Sequence, residues 1–540
     1  MNTTQGVFSL KKPAIEIEWK LLVFLVLFLD VKLSVKALAL LFIYLLQPDF
    51  RFGFRIKHSR LPLFYVIVIL IALLNFILYP NLTSNYITVA LTGILIWSAC
   101  ILVIHQLKLL VDKTDISILH NTLLAFFILN IAFSIVNVLI IFTDIGLRNP
   151  FLYQGQFQKY FINTGDSIRG LTFDTSTANA VINAFGIIYF LYRRKYILVL
   201  ACMATLLMTA SNFCIIMLAL VLTGILFIKS LKEQKSIIVV CILMMVVFFS
   251  AISPQNGSYI SEMADNFIFK KPQIFTPAEK VISIRDIDDS LLTPEKRKDK
   301  LAILFLDSLA RERMRLNQIT GQPTEVTSLK RPEIPKDKIH TATFQWKTDT
   351  TLFQRGLYIY IKNQEPNSLI KYPESTPGKI QALRQSYSFL KGHQDKIIAG
   401  NGIGNFSSKL AFKATGLKMA GGFPSQLTYC SPDFLSNHLS LYAYFYLKNA
   451  HSHSILHTPD SVYDQLITEY GIIGLLAFSI YYLGFFLRDR KRLSYGLPLV
   501  VLLLVFFSVD YWFEQLSIVV LFELMMFVNM KENSKRPDHE

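Results

Sequence analysis

What most limits the folds open to this chain is the recurrence of apolar runs that approach the roughly 20 residues needed to cross a bilayer. They fall near 17–30, 33–48, 62–79, 86–105, 118–145, 178–192, 196–210, 212–228, 236–252, 464–487, 495–510 and 515–530. The first two are short and can form a single hairpin, so the count is about twelve spans, give or take one or two. A hydrophobic fraction of 52% and a mean hydropathy of +0.42 over 540 residues exclude an ordinary soluble domain. The expected fold is an all-α polytopic membrane protein with one large, mainly helical loop domain.

Basic residues in short loops set orientation, because loops left on the cytoplasmic side are enriched in Lys and Arg. Lys11 and Lys12, Arg51 to Arg60, Arg193 to Lys195, Lys229 to Lys235, Arg488 to Arg492 and Lys531 to Arg536 fall on one side if the spans alternate. The short loops at 80–85 and 510–514 carry no Lys or Arg. Both termini are thus expected in the cytoplasm, with the first span retained as an anchor. The net charge of +16 sits largely in those turns, so topology explains it and no nucleic-acid partner is implied. Four of the five cysteines fall in predicted spans and only Cys430 lies outside, which leaves no disulfide framework.

Three regions follow: a transmembrane region 1–252 with a small outward loop at 147–177, a large outward domain 253–463, and a transmembrane region with a cytoplasmic tail, 464–540. Within the large domain, 292–318 begins with Thr-Pro-Glu and then repeats apolar residues at helical spacing, which predicts a helix. A pore or carrier has no need of such a domain, whereas an enzyme working on substrates at the outer surface does.

Three stretches carry residues with chemistry. "SIRGLTFDTSTANA" (167–180) places Arg169 and Asp174 before a span, with Ser176 or Thr177 available as helix cap. "RQSYSFLKGHQDKIIAGNGIGNF" (384–406) holds Arg384, Lys391, Lys396 and the alternating Gly400, Gly402 and Gly404. Its likeness to a dinucleotide loop is superficial, since that fingerprint needs a preceding strand and a cytosolic cofactor. "HTPDSVYDQLITEYGIIGLLAF" (457–478) crowds His457, Asp460, Asp464, Gln465 and Glu469 at the entrance to a span. Ionisable groups at that depth cost roughly 3 kcal/mol each on insertion scales and usually have a task. Ser461 and Asp464 read as a capped helix start, which accounts for the first acids but not for Gln465 and Glu469. His453 and His457 have helical metal-ligand spacing, but Pro459 argues against a helix there, and a solvated pair is the simpler reading.

In order and layout these stretches resemble the O-antigen ligase and polymerase superfamily of bacterial membrane glycosyltransferases. Gln465, Glu469, Gly471 and Gly474 fall in register with that family's Gln-x-x-x-Glu-x-Gly-x-x-Gly ending, and "GNGIGNF" at 400–406, including Asn405, matches its glycine turn after an Arg-started helix. "RGLTFDTSTANA" looks like its Arg-Gly segment, and "TASNFCIIMLALVL" (209–222) like its Thr-x-Ser-Arg helix, with Asn212 where Arg is usual. The family His aligns with Asp460 and its Asn with Ser461, while His457 lies three residues earlier; either side chain can fill that role.

The resemblance implies an inner-membrane enzyme whose large loop is periplasmic. Its donor would be a glycan on undecaprenyl diphosphate, attacked by an acceptor hydroxyl of a glycolipid, glycan or protein. Arg169 and Arg384, and more weakly Lys391 and Lys396, would bind the diphosphate; His457, Asp460 or Glu469 would act as base; no metal or other cofactor is called for. A ligase acting on lipid A-core is the first expectation, with a polysaccharide polymerase or a protein O-oligosaccharyltransferase as alternatives. From other classes, a twelve-span transporter or flippase predicts two related halves with charges at mid-membrane, and the sequence has neither.

Overall fold

The computed structural model describes residues 16–56, 58–145, 149–152, 164–172, 176–228, 231–254, 256–258, 260–261, 376–417, 422–446 and 455–534. All of these belong to one compact unit drawn from residues 1–263 and 340–540. The helix expected at 292–318 lies outside the described residues. Among the described residues every regular element is helical and none is a strand.

The first nine helices are α1 Trp19–Asp30, α2 Leu33–Leu46, α3 Phe64–Leu78, α4 Ser84–Lys113, α5 Ile116–Ile145, α6 Ser176–Tyr192, α7 Tyr196–Met208, α8 Asn212–Ile228 and α9 Lys232–Val247. They form where Leu, Ile, Val and Phe runs leave the backbone no partner but itself. Three described helices, Ser84–Lys113, Ile116–Thr143 and Lys232–Ile252, are long and apolar enough to cross a membrane, and seven more are apolar but shorter. Leu38, Leu70, Leu95, Leu139, Leu243 and Ile480 stay exposed, an apolar surface that lipid accepts and water does not. By contrast α6 is buried on every side, its apolar residues packed within the bundle and its Asn179 and Asn183 side chains hydrogen-bonded.

With 12 and 14 residues, α1 and α2 are shorter than a span. The Glu18 N–H at the start of α1 donates to Thr122 Oγ1 at 3.0 Å, and Tyr44 near the end of α2 meets His105 Nδ1 at 2.8 Å. The chain therefore rises and returns to the same end of the bundle as a hairpin. Lys36 of α2 donates Nζ–H to the Gln515 and Leu516 carbonyls at 2.7 and 3.2 Å.

Among the described residues the helices that follow are α10 Gly378–Gly392, α11 Lys409–Ala414, α12 Ser440–Tyr446, α13 Val462–Glu469, α14 Gly471–Leu487, α15 Gly496–Phe506, α16 Trp512–Gln515 and α17 Ile518–Ser534. Short helical turns at 394–396, 425–427 and 432–439 lie between α10 and α12. The described parts of 376–461 cover one end of the bundle, here termed the capped end, where Tyr79, Asn85 and Tyr86 reach Asp395, Thr428 and Asn405. The opposite end gathers the ion pairs Arg60–Asp112, Lys108–Asp112 and Arg193–Glu532.

Most expected spans shift by a few residues and α4 runs on from 105 to Lys113; two shifts have a visible cause. The helix expected over 464–487 breaks at Tyr470, so Asp464 to Glu469 belong to a separate polar helix and the apolar one starts at Gly471. The helix expected over 515–530 starts at Ile518, because Leu516 takes a left-handed conformation (φ +50°) with Lys36 on its carbonyl.

Candidate active site

The glycine turn and the Gln465–Gly474 segment, read separately in the sequence, are one interlocked object. Asn401 N–H donates to the Thr468 carbonyl at 2.8 Å and Gly402 N–H to the Glu469 carbonyl at 3.1 Å. In return, Ile472 and Ile473 N–H donate to the Ile397 and Ile398 carbonyls at 2.9 and 3.2 Å. Backbone meets backbone so closely that a Cβ on Gly400 would lie 2.4 Å from the Glu469 carbonyl, and one on Gly471 2.4 Å from the Ile398 carbonyl. Both glycines also have φ above +60°, so only glycine fits this joint. Gly402 and Gly404 continue the turn along Tyr86 and Val89 of α4, and Asn405 ties it down through the Asn401 carbonyl and the Tyr86 and Tyr429 hydroxyls. Gly474 lies one turn into α14, against Tyr470 and Leu466.

Beneath this joint lie two buried acids. Glu469 is 0% exposed, and its Oε1 accepts from Phe406 N–H at 3.3 Å and Ser407 N–H at 3.0 Å. Glu514 of α16 accepts from Leu410 N–H at 2.9 Å through Oε2 and from Gln465 Nε2 at 2.7 Å through Oε1. Burial, and then the Glu514 carboxylate, push Glu469 up to about 8. Glu514 is also raised by burial, with Lys413 and Lys409 opposing.

Closer to the surface is a mixed-charge mouth. Ser461 caps α13 by accepting from Tyr463 and Asp464 N–H, as its sequence context predicts. Asp464 is buried and accepts from the Ser386 hydroxyl of α10 at 2.7 Å. Lys379, also on α10, donates to the Asp460 and Val509 carbonyls at 2.6 and 3.3 Å, and Lys409 pairs with Asp510 at 3.3 Å. Burial raises Asp460 to about 6, aided by Asp510 and opposed by Lys409 and Lys379. Burial lowers Lys379 to about 8 against the pull of Asp460, Asp510 and Asp464. An acid ionising near 6 beside two ammonium groups suits proton transfer at neutral pH.

His457 has a different setting. Its Nδ1 accepts from the Gly378 N–H at 3.3 Å, and its ring stacks on Phe445 with centroids 4.3 Å apart. That nitrogen's lone pair is engaged, so a base role would require the bond to break. His453 lies outside the described residues, and no described group of three or more His, Cys, Asp or Glu side chains is arranged to hold a metal.

The cations sit on two supports. The helix carrying Arg384 begins at Gly378, not at the arginine, with Pro377 preceding it. Its buried face (Ala382, Ser386, Phe389) packs inward while Arg384, Tyr387 and Lys391 are exposed. Among the described residues neither Arg384 nor Lys391 forms an ion pair. Arg169 is held from below by uncharged amides. The N–H groups of Arg169 and Gly170 both donate to Asn137 Oδ1 at 3.1 and 3.0 Å, and Leu171 N–H to Asn130 Oδ1 at 3.0 Å. Asn179 of α6 donates to the Ile168 carbonyl and to Ser134 Oγ, each at 3.0 Å, and accepts from Asn130. Gly170 (φ +58°) has no room for a Cβ, which would lie 2.5 Å from Asn130 Oδ1. The two arginines thus belong to the same end of the bundle, Arg384 on α10 and Arg169 in the loop ahead of α6.

Lys379, Lys409, Asp510, Glu514 and the asparagines of α5 and α6 were not singled out from the sequence. For Asp510 and Glu514 a signal existed: both are acids between apolar runs, the same sign that drew notice to Glu469. Fold and site define an all-helical protein with helices suited to a bilayer and a polar, carboxylate-rich joint at one end. Compared with protein-family models, curated proteins and solved structures, the chain matches none.

Proposed function

We propose that the protein is a membrane glycosyltransferase of the O-antigen ligase and polymerase type. It moves a glycan from undecaprenyl diphosphate to an acceptor hydroxyl at the capped end, which faces the periplasm of a bacterial inner membrane. The observation that supports this reading is the interlocking of the glycine turn with the Gln465–Glu469–Gly471 segment, with Asp460 and Lys379 at its mouth. Asp460 takes the proton of the acceptor hydroxyl as the oxygen attacks the anomeric carbon. The bond to the lipid diphosphate breaks, and the charge growing on that leaving group is met by Arg384 and Arg169, with Lys391 beside Arg384 on the same exposed face. Guanidinium suits this task because its planar fork binds two phosphate oxygens at once. Lipid A-core is the favoured acceptor; a growing polysaccharide or a protein hydroxyl would make the same chemistry a polymerase or a protein O-oligosaccharyltransferase.

The test is transfer by the purified protein in liposomes from a lipid-linked donor, with each acceptor class supplied in turn. Arg384→Ala should lower transfer at least ~10²-fold, the loss typical of removing one charge-stabilising donor, while the protein stays inserted. Transfer by this variant at the wild-type rate would remove Arg384 from the mechanism. Absence of transfer to every acceptor by the wild type would remove the mechanism itself.

A further inference from the structure

Beneath the glycine turn two oxygens pose a problem that the reaction does not explain. Glu469 Oε2 and Gln465 Oε1 are both fully buried, and among the described residues neither has a hydrogen-bond donor. The Gln465 amide cannot simply turn over, because its Nε2 already donates to Glu514 Oε1 at 2.7 Å. Glu469 Oε1 is satisfied by two backbone N–H groups, so the deficit is confined to Oε2. A buried carboxylate oxygen without a donor is among the costliest arrangements in a protein interior, and a second carboxylate at Glu514 makes it costlier. Residues 465 and 469 are one helical turn apart and share a face of α13. A hydrogen on Oε2 would give Gln465 Oε1 the donor it lacks and leave one negative charge on the pair.

We propose that Glu469 is held as a neutral carboxylic acid whose proton bridges Oε2 to Gln465 Oε1, and that this proton latches the turn 400–408 onto α13 and α16. Glu469 is then a positioning residue. Through the Phe406 and Ser407 N–H groups it fixes the turn, and through α13 it fixes Ser461 and Asp464 at the mouth. Among the described residues no cation lies close enough to stabilise an ionised form. Facing it are Glu514 of α16, the Tyr511 and Tyr470 hydroxyls, Tyr86 of α4 and the Ser408 hydroxyl, while Lys409 and Lys413 face Glu514 and Asp464 faces Ser386. Because the fold favours the protonated form, the latch is intact at low pH and weakens as pH rises from the usual carboxylic range through about 8.

Infrared titration of the full-length protein in detergent tests this without any assumption about catalysis. The expected result is a protonated-carboxyl carbonyl band that disappears with a midpoint near pH 8 and whose component is missing in Glu469→Gln. The thermal midpoint should fall between pH 6 and 9 in the wild type, with a shallower slope in that variant. A wild-type band identical to that of Glu469→Gln, or identical thermal slopes, would overturn the proposal. So would a thermal rise on adding sodium or magnesium ions that Glu469→Gln lacks, since a cation would then occupy the proton's place. If Glu469→Gln does not fold, Gln465→Leu removes the acceptor instead. The acid band must then shift in frequency, and an unshifted band refutes the bridge.

Discussion

At the capped end, the loop carrying Arg169 and the turn covering Glu469 each bring irregular backbone down into the bundle, and each must find partners for it. They do so with different chemistry. Under Arg169 the acceptors are amides: Asn137 takes two N–H groups and Asn130 a third, while Asn179 ties Asn130 to the Ile168 carbonyl. Under the glycine turn the acceptors are carboxyls: Glu469 takes two N–H groups and Glu514 takes one. Amides do not titrate, so the first support has the same strength at every pH. Carboxyls do, so the second can be changed by a proton. A loop held by amides and a turn held by carboxyls are therefore two parts of one end, of which only the second responds to pH.

The strongest way to break this comparison is Gly471→Val. A side chain there meets the Ile398 carbonyl and the Gly400 nitrogen in a backbone conformation with φ +66°, so a loss of roughly 3 kcal/mol or more is expected. A wild-type thermal midpoint would show that turn and helix are not one object. Next in size is Asp460→Asn. Asp460 ionises near 6, so transfer should rise as pH climbs through 6; the variant should lose about 10²-fold in rate and lose that limb with it. A retained limb would move the base elsewhere.

On the amide side, Gly170→Ala should cost about 2 kcal/mol, because its Cβ would strike Asn130 Oδ1. Measured by thermal unfolding at pH 6 and 9, that cost should be equal, whereas Glu469→Gln should behave differently at the two values. The smallest effect belongs to His457→Gln. A Gln side chain can still accept from the Gly378 N–H, so the transfer rate should change less than tenfold, and a larger loss would restore His457 as a candidate base.

Much of the helical scaffold was legible in the residues, because apolar runs with no polar backbone partner nearby have one way to satisfy their hydrogen bonds. Helix ends were less so. In "ITEYGIIG" only Gly471, a glycine suited to a left-handed helix stop, hints at a break at Tyr470, and what fixes it there is the Ile397–Gly400 backbone arriving from a distant part of the chain. Gly400, Gly471, Gln465 and Glu469 were singled out as members of motifs, but their mutual contact was not, because pairing of separated segments leaves no local trace. Ser461 as a cap was readable because it bonds its own neighbours. Lys379 was not, since its partners Asp460 and Val509 are far along the sequence. Asn130 and Asn137 looked like incidental polar residues in an apolar helix, although intramembrane amides usually mark a partner that must be sought.

The ammonium of Lys36 resting on the carbonyls of Gln515 and Leu516 orders the protein's biosynthesis as well as its fold. The ribosome makes this hairpin 479 residues before the first of its anchoring acceptors, so it is secured only after that much more chain has been made. Until then a nascent chain carries a cation with no mate inside the bundle, a state that membrane insertases and quality-control proteases are placed to recognise.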